Sequence, residues 1–177
     1  MHGELTAGLD GVHLSLALTG GSAEPLGVDA LLASAYASYA VDLIDGPDSW
    51  RVVARLPGDR GVIAGALTAH ETGDESPELL LYAIGYASST GGRGAARVGL
   101  STSGSLAALS WDRAVAKLAR LGEVVRLAAT PVDERRAAID PRAVDLRSAG
   151  LGRYDPPSAR PSSRSSTKSR KSSSPGD

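Results

Sequence analysis

The chain has no cysteine and no phenylalanine, one methionine, and only 4% aromatic residues. Without cysteine there can be no disulfide, no thiolate nucleophile and no zinc site that depends on sulfur. With so few rings, the 42% of residues that are apolar must build a core from aliphatic side chains, chiefly Ala, Leu and Val. No run of 18 or more apolar residues is present to span a membrane, and the N-terminus lacks the basic-then-apolar pattern of a signal peptide. A cytoplasmic, soluble protein is therefore expected. Its 177 residues are enough for one domain of ordinary size.

Charge is also scarce in net terms, but unevenly spread. Residues 155–177 carry five Arg or Lys against two Asp, so the formal charge of −1 divides into a tail of +3 and a body of −4. An acidic body offers no concentrated basic face for phosphate, which argues against nucleic acid as a partner. The tail contains nine Ser with Pro, Arg and Lys and almost nothing apolar. Such a composition cannot offset the entropy of ordering, so 155–177 is expected to be disordered, a solubilising end or a phosphorylation target.

Within 1–154, periodicity predicts strands alternating with helices. "GVHLSLALT" (11–19), "SYAVDLID" (38–45), "RGVIAGALTA" (60–69) and "ARVGLSTSG" (96–104) read as strands. Helices are expected over 23–37, in "SWRVVARL" with Trp50, Val53 and Ala54 on one face, and in "PELLLYAIGYASS", which Ser76 should cap and Pro77 should open. In "SWDRAVAKLARLGEVVRLAA" (110–129), Ala114, Leu118, Leu121, Val125 and Ala128 form the expected core stripe, with Ser110 as cap. Residues 130–154 read as a helical extension broken at Pro131 and Pro141. Four strand-helix units in succession imply an α/β fold with parallel strands and right-handed crossovers.

In such folds functional side chains collect at the carboxyl ends of the strands. The residues assigned there are His13, Ser15, Asp42, Asp45, Thr68, His70, Ser101, Thr102 and Ser103. His13 and Ser15 share a strand face, and His13, His70, Asp42 and Asp45 could supply nitrogen and oxygen ligands to a divalent ion, although no HxH, HExxH or Asp-rich loop is present. Ser103, His13 and Asp42 could be arranged as nucleophile, base and orienter, but no G-x-S-x-G elbow occurs. The glycines of "STGGRGAARVGL" (89–100) precede a strand, the wrong order for a phosphate loop, and are better read as a helix stop and turn. Thr19-Gly20-Gly21 is better placed for an anion, as a turn common to many folds.

The order of these segments resembles the C-terminal half of the catalytic barrel of cobalamin-independent methionine synthase, within the uroporphyrinogen decarboxylase-like superfamily. The residues that carry the resemblance, over about 9–129, are "VHLSLAL", "YAVDLIDGPDSW", "RLPGDRGVIAGALTAHETGDESPELLLYAI" and "RVGLSTSGSLAALSWDRAVAKLARLGEVVRLA". The later "DPRAVDLRSAGLGRY" is also similar to the tail of some barrel relatives. The resemblance implies a barrel that transfers a methyl group from methyltetrahydrofolate to homocysteine, activated as a thiolate on zinc. It implies that His13 matches the histidine ligand, Ser15 the first cysteine, Asp42 the glutamate and Ser103 the last cysteine. Two ligands lose their sulfur and one is shortened, so zinc is expected to be absent or weakly held.

The expectation is thus a half barrel (1–154) with a vestigial metal site at His13 and Asp42. His13, Ser15, Asp42, Asp45 and Ser103 would contact a small thiol or folate-like ligand. A full barrel takes about 250 residues, so either a second copy is expected to complete this one, or upstream sequence, since "MHGELTAGLD" resembles the end of a helix leading into a strand. The rival expectations are an active methyltransferase homologue completed by upstream sequence or a partner chain, and a non-catalytic α/β interaction module.

Overall fold

The computed structural model describes residues 4, 6–9, 11–131 and 133–135. The expected disordered tail (155–177) and most of the expected helical extension (130–154) lie outside the described residues.

Four strands, β1 (Ser15–Leu18), β2 (Ser38–Asp42), β3 (Gly61–Leu67) and β4 (Val98–Thr102), form one parallel sheet in the order β1-β2-β3-β4. Between and after them come α1 (Val28–Leu32), α2 (Ser49–Arg55), α3 (Pro77–Ser89) and α4 (Trp111–Ala128). The sheet is open, with β1 and β4 as its edges. This is the α/β order of half an eight-stranded barrel.

The side chains divide by strand parity, as a pleated sheet requires. Tyr39 and Val41 on β2 and Val62, Ala64 and Ala66 on β3 are buried with Val52 and Val53 of α2 and Leu80, Ala83 and Ala87 of α3. The opposite face carries mostly small or polar residues, with Ile63 of β3 among them. On β1 its residues Ser15 and Ala17 are exposed, while Ser38 and Asp42 on β2 are buried. Among the described residues no helix covers β1 on that side. The ladder between β3 and β4 slips between Gly65 and Leu67, where a bulge re-aims the strand end.

Helix α3 begins as expected: Ser76 Oγ accepts the Leu79 N–H at 3.4 Å and Pro77 occupies the first turn, where its missing N–H costs nothing. Trp50 of α2 meets Tyr86 edge-on, ring centroids 5.2 Å apart, and Tyr86 Oη donates to the Trp50 carbonyl, joining α2 to α3.

Helix α4 departs from expectation twice. Its inward stripe is Ala114, Lys117, Leu121, Val124 and Ala128, whereas Leu118 and Val125 are 56% and 53% exposed. Both stripes have three- and four-residue spacing, and packing against α3 and β4 selects the one containing a lysine. Ser110 makes no side-chain cap. Its N–H and hydroxyl both donate to the Glu71 carboxylate, an acid from another loop placed at the helix start. On α2, Val52 and Val53 are the buried pair and Ala54 is exposed, so the expected Trp50-Val53-Ala54 face is turned by one position.

Candidate functional site

The carboxyl ends of β2, β3 and β4 gather Asp42, Asp45, Thr68, His70 and Ser103. Asp42 closes β2 and is 1% exposed. One carboxylate oxygen accepts the N–H groups of Ile44 (3.0 Å) and Asp45 (2.9 Å), and the other accepts that of Gly21 (3.1 Å). A short acid at this point therefore turns the chain after β2 and ties it to the loop after β1. Gly21 has φ of 133° and its carbonyl oxygen would lie 2.3 Å from a Cβ at Gly46, so the two loops touch backbone to backbone. The Thr19-Gly20-Gly21 turn thus gives an N–H to Asp42.

Ser103 follows β4 and is 1% exposed. Its Oγ accepts the Ala69 N–H at 3.0 Å and its own N–H donates to the Leu67 carbonyl at 2.7 Å. Thr68 is also buried; its N–H donates to Glu75 at 2.8 Å, and its hydroxyl accepts the His70 N–H. Thr102 and Ser101 spend their hydroxyls on the carbonyls of Gly104 and Thr102.

Two side chains remain available to a ligand. His70 Nε2 lies 2.8 Å from Asp45 Oδ1, joining the loops after β3 and β2 at an exposed position. The hydrogen bond to Asp45 and then the Asp45 charge raise the His70 pKa above its ordinary value, with Asp42 adding to the effect; slight desolvation and Lys117 oppose it. The loop carrying His70 is pinned from α4. Arg113 donates to the carbonyls of Glu71 and Gly73 and pairs with Asp74, and Lys117 Nζ donates to the Gly73 carbonyl at 3.0 Å. The Arg113 guanidinium holds the Asp74 carboxyl below its ordinary pKa.

No protein-family model and no curated protein matches this chain.

His13 and Ser15 are not part of this cluster. β1 starts at Ser15, whose partner in register is Ser38, so both residues sit at the amino end of the sheet. His13 Nε2 is 3.0 Å from Ser38 Oγ, which donates to Ser15 Oγ at 2.9 Å. Asp42 lies four residues further along β2, about 13 Å away at the usual strand rise. The expected pairing of His13 with Asp42 fails because His13 precedes the first residue of β1, at the amino end of the parallel sheet, whereas Asp42 is the last residue of β2, at the carboxyl end. His13 and Ser38 instead line a cleft of about 430 Å³ with Asp59, Ile63 and Arg97. Among the described residues no three His, Asp or Glu converge as a metal site would need, and no helix is long and apolar enough to cross a membrane.

Sequence reasoning missed Arg93. It is 2% exposed, and its guanidinium donates to the carbonyls of Arg60 (2.8 Å), Leu56 (2.9 Å) and Ala87 and to the Thr90 hydroxyl. Burial lowers its pKa. The one available signal is its setting between glycines of positive φ, Gly91, Gly92 and Gly94, which fold the chain tightly around it.

Proposed function

We propose that this chain is a degenerate barrel half of the cobalamin-independent methionine synthase type, one that binds a small anionic ligand at the carboxyl ends of its strands and does not carry out zinc-dependent methyl transfer. The observation that carries this reading is the use of buried Asp42 and Ser103 as acceptors for backbone N–H groups. Both Asp42 oxygens are taken by three backbone N–H groups, and Ser103 Oγ by a fourth.

The resident group of the resembled family is zinc, and the donor set does not fit it. Zinc favours sulfur, neutral imidazole or a free carboxylate oxygen. The matching positions supply two hydroxyls, a carboxylate already satisfied by amides, and a histidine at the other end of the sheet.

The ligand-facing groups are His70 and Asp45. Asp45 orients the imidazole and favours its protonated form, in which the ring nitrogen not bonded to Asp45 offers an N–H at the mouth of the site. That suits the carboxylate of an amino-acid thiol or the glutamate portion of a folate. Calorimetry with homocysteine and with 5-methyltetrahydrofolate tests the reading. Binding of one of them that weakens about tenfold in His70→Ala, the loss of one charge-assisted hydrogen bond of about 1.4 kcal/mol, is the expected result. No binding of either probe, or binding indifferent to His70→Ala and Asp45→Asn, would count against it.

A further inference from the structure

The large apolar side chains that the fold leaves exposed are not scattered. Among the described residues they are Leu9, Val12 and Leu26, which flank β1 in the chain, and Trp111, Val115, Leu118 and Val125, which form one stripe along α4, the helix that follows β4. β1 and β4 are the two edges of the sheet. Exposed apolar surface is therefore concentrated beside both open edges and absent from the units between them, a distribution that marks interaction surface.

Among the described residues no strand pairs with the outer side of β1 or β4. The Leu14 carbonyl accepts the N–H groups of Ala37 and Ser38, and Ser15 is in register with Ser38. In a parallel ladder this turns the backbone of Leu14 and Leu16 toward β2 and that of Ser15 and Ala17 toward the free edge. β4 has a free edge of the same direction on the far side.

We infer that two copies of this chain close into one eight-stranded parallel barrel, with β1 of each pairing with β4 of the other about a two-fold axis along the barrel. The rotation keeps all strands parallel, closes both seams together and removes every edge. Four strands are half of the number that closes such a barrel with a filled interior. At each seam the α4 stripe of one copy covers the β1 unit of the other, so Trp111, Val115 and Leu118 meet the apolar residues that flank β1. The uncovered face of β1, with its small side chains Ser15 and Ala17, becomes the barrel interior. This assembly does not depend on what the carboxyl-end site binds.

Light scattering behind size-exclusion chromatography of the full chain, over a wide concentration range, tests the assembly. The expected mass is twice 18.0 kDa. Leu118→Glu, at an exposed helix position, and Ala17→Pro, which removes an N–H from the free edge, are each expected to give a monomer with an unchanged circular dichroism spectrum. A monomer at every concentration would overturn the inference. So would a dimer that survives Ala17→Pro, which would place the contact on the helices alone, or an open-ended series of larger oligomers.

Discussion

Arg93 holds together three stretches of chain that have little else in common: the end of α2, the loop before β3 and the end of α3. Replacing it with Ala removes the guanidinium donor from the carbonyls of Leu56, Arg60 and Ala87, the last keeping only the Thr90 hydroxyl, and a loss of about 3 kcal/mol in urea unfolding is expected. His70 gives a second test at the same scale. Its folded pKa is raised, so the clasp to Asp45 contributes stability that is fully present below its unfolded pKa and is lost as pH rises through the folded value. A proton NMR titration should find the His70 midpoint above that of an unperturbed histidine, and Asp45→Asn should bring it down. An unshifted midpoint in the parent protein would contradict the clasp. These residues were unevenly legible. Asp42, Asp45 and His70 were placed correctly at the carboxyl ends because strand order alone locates them. His13 was not: the face it shares with Ser15 says nothing about which end of the strand the pair occupies, and at the start of "VHLSLAL" that is the amino end.

At the scale of elements, α4 has two apolar stripes of equal spacing, and hydropathy alone favoured the one without Lys117. The structure turns Lys117 inward because its long stem packs while its ammonium reaches the Gly73 carbonyl. Two substitutions separate the alternatives. Val124→Ala, at a fully buried position, is expected to cost about 2 kcal/mol, while Val125→Ala, compared in the Leu118→Glu monomer where the outer stripe is uncovered, should change stability by less than about 0.5 kcal/mol. The reverse order would restore the stripe read from the sequence. The loops at the carboxyl ends are as constrained as the helices. Gly46 abuts the Gly21 carbonyl, so Gly46→Ala must push the two loops apart and is expected to lower stability by about 2 kcal/mol in thermal or urea unfolding. The cap at Ser76 was legible because Ser-Pro-Glu is a local signal; the Glu71 contact that replaces the Ser110 cap was not, because it comes from a residue distant in sequence.

For the whole molecule, the alternation of four strands with helices and their parallel pairing followed from periodicity, and their sequential order from the half barrel that the resemblance implies; the open sheet has that alternation, pairing and order. Periodicity could not show how that sheet uses its polar residues. The zinc-ligand positions implied by the resemblance became, in this fold, a loop tie at Asp42, an amide acceptor at Ser103 and a hydroxyl chain at His13, Ser38 and Ser15. The central claim is that these side chains serve the architecture and leave no metal site. The most direct measurement is elemental mass spectrometry of the full chain purified in the presence of zinc and then exchanged into metal-free buffer. The account predicts far less than one zinc per chain, unchanged in Asp42→Ala. One zinc per chain, lost on that substitution, would contradict it.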